Sequence, residues 1–242
     1  AAPKVVCFGD SITHRGYPDE LAVLLNVPVA NAGVGGNSTR DGLARMEADV
    51  LKLRPEVAVI CFGANDSRLA EPKKHIPVDR YEANLADMVE RCLRLQIQPV
   101  LCTPPPINPE PYFQRHAREK FDQAGGLAKV LDTYRSAVLR VAEARAISIV
   151  DLNRQLAAQP AWQSADGVHP TPNGNQIIAR LVAEKVRPMI TSGKAAATPA
   201  GKASQHASAA SKGVVKLAVP AAEGKVDVVI YGGTSAGVIA AV

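Results

Sequence analysis

The sequence has no uninterrupted apolar stretch of the roughly 20 residues that a membrane-spanning helix needs, so we expect no stable membrane insertion. Aromatic residues make up only 4% of the chain, too few for the stacking platforms that bind single-stranded nucleic acid. The cysteines form no Cys-x-x-Cys pair and have no histidine at metal-ligand spacing. Three of the four, Cys7, Cys61 and Cys102, stand inside short apolar runs, and we interpret all four as small buried hydrophobic residues.

The formal net charge of +5 is unevenly distributed along the 242 residues. From residue 192 to the C-terminus, five lysines stand against Glu223 and Asp227, which gives +3 and leaves only +2 for residues 1–191. Because the basic excess lies in a tail and the body is nearly neutral, charge predicts no nucleic acid partner. With 47% apolar and 21% charged residues, the composition is that of a globular protein.

Short apolar runs alternate with amphipathic segments over residues 4–190. The runs are rich in β-branched residues and continuous, as in strands that are covered on both faces. The predicted strands are 4–9, 27–31 (the weakest), 57–63, 99–103 and 147–151. The predicted helices are 18–26, 38–53, 79–95, 127–145 and 171–190. This alternation predicts βαβ units and hence an α/β protein, a three-layer α/β/α sandwich with a central five-stranded parallel sheet.

The composition changes after residue 190. From 191 to 224, Ala, Ser, Gly, Lys and Pro dominate without an apolar period, which predicts a linker. Residues 225–242 (KVDVVIYGGTSAGVIAAV) have the pattern of a strand, a glycine turn and the start of a helix, too little to fold independently. We therefore predict one main domain over residues 1–190 and, after the linker, the truncated start of a Rossmann-like dinucleotide-binding domain.

Polar residues follow three of the predicted strands. The first strand runs into GDSI (residues 9–12), the second is followed by NAGVGGNS (31–38), and the third runs into GAND (63–66). A fourth polar block, DGVHP (166–170), lies directly before the last predicted helix. Because the carboxyl ends of parallel strands meet at one edge of a sheet, we expect these blocks to form a single site.

These four blocks, in this order, resemble the GDSL, or SGNH, hydrolase family, and the resemblance extends over residues 4–190. It implies a flavodoxin-like fold and a serine ester hydrolase that works through an acyl-enzyme. Ser11 would be the nucleophile, and Asp166 and His169 would complete the triad. The Ser11 and Gly36 N–H groups and the Asn65 amide would form the oxyanion hole. The resemblance implies neither an organic cofactor nor a metal.

Each of these residues also has a structural interpretation. Ser11 can cap a helix, and Gly36 and Asn65 can serve turn geometry. His169 can be a surface histidine or, with Asp166, part of a metal pair, although the sequence places no third ligand nearby. Their joint occurrence favours catalysis, because a serine hydroxyl needs an imidazole to take its proton and the imidazole needs an orienting acceptor.

The remaining polar residues of these blocks receive structural interpretations. We predict that Asp10 caps the turn after the first strand. The other histidines have no recognisable partner pattern and are predicted to be solvated: His14, His75, His116 and His206.

The connection after the fourth predicted strand, residues 103–126, is long. We expect part of it to be helical around residues 113–121 and the whole to form a wall or lid that bears Tyr112, Phe113, Arg115 and His116. Polar and cationic groups there favour a small ester substrate such as an acetylated carbohydrate over a long lipid chain. Lysophospholipase and thioesterase activities, which the family resemblance also covers, stay open as alternatives.

The C-terminal segment suggests a rival function. GTSAG (233–237) matches the GxSxG nucleophile elbow, but no histidine follows it, so the elbow interpretation fails. Residues 226–237 are instead similar to the dinucleotide-binding turn of FAD-dependent oxidoreductases, from which they depart at Thr234. The rival hypotheses are therefore an oxidoreductase whose main domain is missing from this chain and a catalytically idle glycan-binding module.

The chain begins with Ala1, which indicates a processed or trimmed N-terminus. An Ala-Ala-Pro start fits a mature periplasmic or secreted protein, and trimming would give the same start. No feature of the sequence specifies an oligomeric state.

Overall fold

The computed structural model describes residues 2–159 and 161–190. The predicted linker, the dinucleotide-binding segment and His206 therefore lie outside the described residues. The described strands are β1 Val5–Gly9, β2 Val29–Gly33, β3 Val57–Cys61, β4 Gln98–Cys102 and β5 Ser148–Val150. They form one parallel sheet in the order β2-β1-β3-β4-β5.

Helices connect the strands and cover the sheet. In chain order they are α1 Ser11–His14, α2 Tyr17–Leu25, α3 Thr39–Asp49, α4 Val78–Arg94, α5 Pro109–Phe113, α6 Glu119–Gln123, α7 Leu127–Arg145, α8 Leu152–Ala157 and α9 Pro172–Val186. Two short 3₁₀ turns, Leu51–Leu53 and Arg187–Met189, follow α3 and α9. None of the described helices combines the length and the apolar character needed to cross a membrane.

The core has two parts, one on each face of the sheet. Because side chains alternate along a strand, Val6 and Phe8 of β1 face a cluster formed with α3, α4 and α7. Val5 and Cys7 face the opposite cluster, which includes residues of α2, α8 and α9. Every residue of β1 and β3 is buried, as expected for central strands of a parallel sheet. The predicted three-layer α/β/α sandwich is confirmed.

The predicted boundaries differ from the observed ones mainly where the chain turns. β2 begins two residues later than predicted, because Asn26 is left-handed (φ 52°) and Pro28 has no N–H to donate to the sheet. Helix α3 ends at Asp49 rather than at residue 53, and the chain tightens into a 3₁₀ turn that closes at a left-handed Arg54 (φ 47°).

The prediction that the connection is partly helical around residues 113–121 is confirmed, but two short helices lie there with a gap between them. Helix α5 ends at Phe113 and α6 begins at Glu119, with non-helical chain between them. Helix α5 starts at Pro109, four residues before the predicted region. Pro109 suits a first helical position, and the Asn108 side chain caps the helix by accepting from the N–H of Glu110 at 3.2 Å. Helices α1 and α8, of four and six residues, are too short to show a helical period in the sequence.

The cysteines are buried and unpaired, as predicted. Three of them belong to the same core cluster, where they pack as apolar side chains. Burial raises the pKa of the fourth, Cys92, to about 12, so its thiol stays protonated at neutral pH.

Candidate active site

Ser11 lies where the first strand turns into the first helix. Asp10 is the N-cap of α1, and its Oδ1 accepts from the N–H of Ile12 at 2.9 Å, so its predicted role as a cap is confirmed. Ser11 is the first residue of α1, a position whose N–H has no acceptor within the helix. The turn is tight, because a Cβ on Gly9 would collide with the Thr13 side chain and the Cys61 carbonyl oxygen.

His169 reaches Ser11 from the loop that precedes α9. Its Nε2 lies 2.9 Å from Ser11 Oγ, although the two residues are 158 positions apart in the chain. Its Nδ1 lies 2.6 Å from Asp166 Oδ2. The structure thus brings together the three side chains that the sequence suggested for a triad, in the order serine, imidazole, carboxylate.

The Asp166 carboxylate is held at both oxygens. Its Oδ1 accepts from the Ser164 hydroxyl at 2.7 Å and from the N–H groups of Val168 and His169 at 2.9 Å each. Partial burial opposes ionisation, but the hydrogen bonds from the His169 ring, the two N–H groups and Ser164 outweigh it and hold the Asp166 pKa well below its usual range. Asp166 is therefore a carboxylate at neutral pH.

The loop that carries these residues depends on Gly167. This residue has a φ of +72°, which favours glycine, and a Cβ there would lie 2.5 Å from Pro111 Cγ. Its carbonyl oxygen accepts from the N–H of Asn108 at 2.9 Å, which ties the loop to the β4 connection.

Gly36 and Asn65 lie in the loops that follow β2 and β3, the two strands that flank β1. Asn65 is 3% exposed, and its Nδ2 donates to the Asn37 carbonyl oxygen at 3.0 Å, so the amide contacts the loop that contains Gly36. The next acceptor near Nδ2 is Asp10 Oδ2 at 3.4 Å, a long and weak contact. Among the described residues, the Gly36 N–H has no acceptor. These donors therefore have capacity to bind a further oxygen.

Two buried carboxyl groups flank Asn65. Burial raises the pKa of Asp10 to about 7, the N–H of Ile12 lowers it, and the neighbouring Asp66 raises it again. Burial also raises the pKa of Asp66 to about 6, against the hydrogen bonds from Thr39. Sequence reasoning missed Asp66, for which the only signal was an acidic residue directly after Asn65 at the end of a buried strand.

Arg45 of α3 is a second residue that sequence reasoning missed. Its guanidinium donates to the carbonyl oxygens of Gly9 at 2.7 Å and Ala32 at 2.8 Å, and to Asn37 Oδ1 at 2.8 Å. It also lies 4.4 Å above the centroid of the Phe8 ring. One side chain thus joins the carboxyl ends of β1 and β2 to the loop beside Asn65.

With this geometry established, comparison with known proteins identifies the family. The family model for GDSL-like lipases and acylhydrolases matches residues 7–177. The chain belongs to this family.

Relatives of this GDSL hydrolase are named as esterases. It is 34% identical over 195 residues to the isoamyl acetate-hydrolyzing esterase 1 homolog of Rattus norvegicus, covering 73% of this chain and 78% of that protein. It is 31% identical over 180 residues to an acetylxylan esterase of Geobacillus stearothermophilus, covering 70% and 74%. The protein is a carboxylic ester hydrolase.

Solved structures show the same fold. A lipase/acylhydrolase from Enterococcus faecalis matches with a TM-score of 0.67 and 25% identity, covering 80% of this chain and 100% of that one. The acetyl xylan esterase AlAXEase matches with a TM-score of 0.64 and 26% identity, covering 75% and 98%.

The β4 connection of this GDSL esterase differs from the wall that the sequence suggested. Tyr112 is 2% exposed and packs in the core with Phe113 and Phe121, so it cannot line an open wall. Arg115 remains exposed and donates to the carbonyl oxygen of Asp166 at 2.5 Å. The connection therefore reaches the candidate site through Arg115.

The prediction of solvated histidines is wrong for two of the four. His116 stacks on Tyr112 at 4.3 Å, and its Nδ1 lies 3.0 Å from Glu71 Oε1. His75 Nδ1 lies 2.9 Å from the Asp66 carbonyl oxygen. Both partners come from loop folding, which leaves no periodic signal in the sequence. His14 is exposed, as predicted, with its ring 3.2 Å from the Gly33 carbonyl oxygen.

The alternative in which Asp166 and His169 bind a metal ion would require a third ligand nearby. The described residues contain no group of three or more His, Cys, Asp or Glu side chains that could hold a metal ion. His169 and Asp166 are instead hydrogen-bonded to each other.

Proposed function

We propose that this GDSL esterase hydrolyses short-chain acyl esters, with an acetylated carbohydrate as the favoured substrate, through an acyl-enzyme formed on Ser11. The observation that carries the proposal is the 2.9 Å separation of His169 Nε2 and Ser11 Oγ, together with the 2.6 Å contact from His169 Nδ1 to Asp166. An imidazole at this distance can accept the serine proton during attack, and the carboxylate holds the ring in the tautomer that leaves Nε2 free.

In the first half of the reaction, Ser11 Oγ attacks the ester carbonyl carbon while its proton passes to His169 Nε2. The carbonyl oxygen becomes an oxyanion, which the Ser11 and Gly36 N–H groups and the Asn65 amide stabilise. Removing one such donor typically costs about 3–4 kcal/mol in the transition state. The imidazolium, stabilised by the ionised Asp166, then gives its proton to the departing alcohol oxygen as the ester bond breaks.

In the second half, a water molecule takes the place of the alcohol. His169 accepts a proton from the water, whose oxygen attacks the acyl carbon and again forms an oxyanion in the same donor set. Collapse of this intermediate breaks the bond to Ser11 Oγ, returns the proton to that oxygen and releases the acid.

Two observations support a short acyl group and a polar alcohol. One of the relatives reported above is named an acetylxylan esterase, and the other is named a homolog of an isoamyl acetate-hydrolyzing esterase. The connections around the site carry Arg68, Glu71, Lys74 and Arg115, polar groups suited to carbohydrate hydroxyls rather than to a long hydrocarbon chain.

Replacement of the nucleophile tests the mechanism. Ser11→Ala should abolish turnover of p-nitrophenyl acetate and labelling by a fluorophosphonate while leaving the folded circular dichroism spectrum unchanged. Ser136→Ala, which removes a hydroxyl from α7, is the matched control and should keep both activities. Retained turnover in Ser11→Ala would remove the mechanism, and an unlabelled, inactive wild-type protein would favour the idle glycan-binding module.

A substrate panel tests the acyl and alcohol preference. We expect kcat/KM to fall steadily from p-nitrophenyl acetate through butyrate and octanoate to palmitate, and acetylated xylooligosaccharides to release acetate. Preference for palmitate, a lysophospholipid or an acyl thioester would replace the proposed substrate with the lipase or thioesterase alternative.

A further inference from the structure

The segment that contains Gly36 is tied at three points to the chain that follows β3. Lys74 Nζ donates to the Gly36 carbonyl oxygen at 2.7 Å, and Asn65 Nδ2 donates to the Asn37 carbonyl oxygen at 3.0 Å. At the end of the segment, Asp66 Oδ1 accepts from the N–H of Thr39 at 2.9 Å. Two proposed oxyanion donors, on separate loops, are thus joined by contacts from one loop to the other.

Asp66 is the buried end of this connection. Its side chain is fully buried, and Oδ1 also accepts from the Thr39 hydroxyl at 2.5 Å, while Oδ2 has no partner among the described residues. The Thr39 hydroxyl in turn accepts from Asn84 Nδ2 of α4 at 2.9 Å. A buried carboxyl with one unmatched oxygen is costly for stability, so stability alone does not account for Asp66.

The main chain of Asp66 is fixed as firmly as its side chain. Its carbonyl oxygen accepts from the N–H of Ile76 at 3.0 Å and lies 3.2 Å from the Tyr134 hydroxyl of α7, which donates to the Ile76 carbonyl oxygen at 2.5 Å. The loop after β3 is therefore anchored to the helical layer, and it can act as a rigid support for the Gly36 segment.

Lys74 is the half-buried end of the connection. Gly36 has a φ of +77°, and a Cβ built on it would lie only 3.2 Å from Lys74 Nζ, so the ammonium group sits directly against this residue. Arg40 Nη2 donates to the Lys73 carbonyl oxygen at 2.9 Å, which holds the chain next to Lys74. The Lys73 side chain is exposed, so it offers a neighbouring cation for comparison.

We propose that Lys74 and Asp66 are positioning residues that fix the Gly36 N–H relative to the Asn65 amide, so that both donors meet the oxyanion. The inference rests on the proposed function, because it assigns these two donors to the same oxygen. Donors must lie within about 2.7–3.1 Å of the developing oxyanion, and a misplacement of about 1 Å can cost roughly 100-fold in rate. Because the donors act mainly in the transition state, the loss should appear in kcat rather than KM.

Substitution of the adjacent residues Lys73 and Lys74 tests the Lys74 end of the connection. With p-nitrophenyl acetate, Lys74→Met should lower kcat by roughly 10–100-fold with KM within about twofold of wild type. Lys73→Met should leave both constants unchanged, and Lys74→Arg, which keeps a donor for the Gly36 carbonyl, should recover most of the loss. A wild-type kcat in Lys74→Met, or an equal loss in Lys73→Met, would overturn the inference.

A matched pair at Thr39 tests the buried end. Thr39→Val removes the hydroxyl that donates to Asp66 and keeps the shape, whereas Thr39→Ser keeps the hydroxyl. We expect Thr39→Val to lower kcat by about 10-fold and to weaken inhibition by a trifluoromethyl ketone, which forms a tetrahedral oxyanion on Ser11, by the same factor. Thr39→Ser should stay near wild type in both. A Thr39→Val variant that loses thermal stability without these two changes would show that the contact is only structural.

The two proposals fail in different ways. An active Ser11→Ala variant would remove the proposed function and this inference with it. An inactive Ser11→Ala variant beside fully active Lys74→Met and Thr39→Val variants would leave the proposed function in place and remove only the positioning roles.

Discussion

The Ser164 hydroxyl donates to Oδ1 of Asp166 at 2.7 Å, while the His169 ring contacts Oδ2 of the same carboxylate at 2.6 Å. One oxygen therefore fixes the orientation of the carboxylate and the other orients the imidazole. Because the backbone N–H groups of Val168 and His169 also donate to Oδ1, the carboxylate has three supports that do not involve the imidazole ring.

Loss of the Asp166 charge should lower kcat far more than loss of the single hydrogen bond from the Ser164 hydroxyl. We expect Asp166→Asn to lower kcat for p-nitrophenyl acetate by roughly 10²–10⁴-fold, because an amide cannot stabilise the imidazolium and can favour the wrong tautomer. Ser164→Ala should cost only a few-fold, since the two N–H groups remain. Steady-state kinetics on both variants check this, and equal losses in the two would contradict it.

The Asn65 amide gives a prediction about transition-state binding. Asn65→Ala should lower kcat by roughly 10²–10³-fold with little change in KM, the usual cost of a missing oxyanion donor. Gln98→Ala is the control, because Gln98 also donates from an amide to a backbone carbonyl, that of Met189 at 3.0 Å, but lies at the start of β4. A wild-type kcat in Asn65→Ala would exclude the amide from the oxyanion hole.

The sequence was informative about the site because a parallel sheet collects the carboxyl ends of its strands at one edge. Continuous apolar runs predict the strands, and the polar blocks after them are expected to converge, whereas the individual roles of Ser11, Gly36 and Asn65 follow from the resemblance of these blocks to the GDSL family. The same resemblance assigns Asp166 and His169 in the block before the last helix, and their Asp-x-x-His spacing supports the assignment.

The supporting residues could not be found in the same way. Arg45 stands in an amphipathic helix, where an arginine is normally a solvated surface charge, and its acceptors include a main-chain oxygen 36 residues away. Asp66 has a partner, Thr39, that is 27 positions distant. The position of Tyr112 in a long connection predicts a wall residue, but its ring packs in the core. Such contacts depend on how loops pack, which leaves no period in the sequence.

The raised pKa of Asp10 predicts a pH-dependent gain in stability for Asp10→Asn. Burial raises the pKa from 3.8 to about 7, so the folded state holds this proton more tightly than the unfolded state does. The contribution of Asp10 to stability is therefore complete below about pH 4 and is lost as the pH rises to about 7.

An asparagine at position 10 keeps a side-chain oxygen that can accept from the N–H of Ile12, but its amide group cannot ionise. The difference in free energy of unfolding between Asp10→Asn and wild type should grow in favour of the variant from pH 4 to 7 and be constant above that, with a limit of about 4 kcal/mol, and the melting temperatures should diverge in the same way. Thermal unfolding of both proteins across pH 4–8.5 measures it. A difference that does not vary with pH would show that Asp10 does not titrate in this window.

Arg45 provides a prediction about stability at the edge of the sheet where the site lies. Its guanidinium bonds to three acceptors on separate segments and pairs with Asp49 at 2.7 Å, with only 17% of the side chain exposed. We expect Arg45→Ala to lower the free energy of unfolding by about 2–4 kcal/mol, because buried carbonyl oxygens lose a charged donor. Arg45→Lys should recover little, since one ammonium group cannot reproduce the fork of the guanidinium.

The matched control is Arg91→Ala. Arg91 also pairs with an acidic residue one helical turn away, Asp87 at 2.9 Å, but its side chain is 34% exposed. An exposed pair of this kind contributes about 0.5 kcal/mol, so urea unfolding should separate the two variants clearly. Wild-type stability in Arg45→Lys would mean that charge alone, rather than the three-way geometry, holds β1, β2 and the Asn37 loop together.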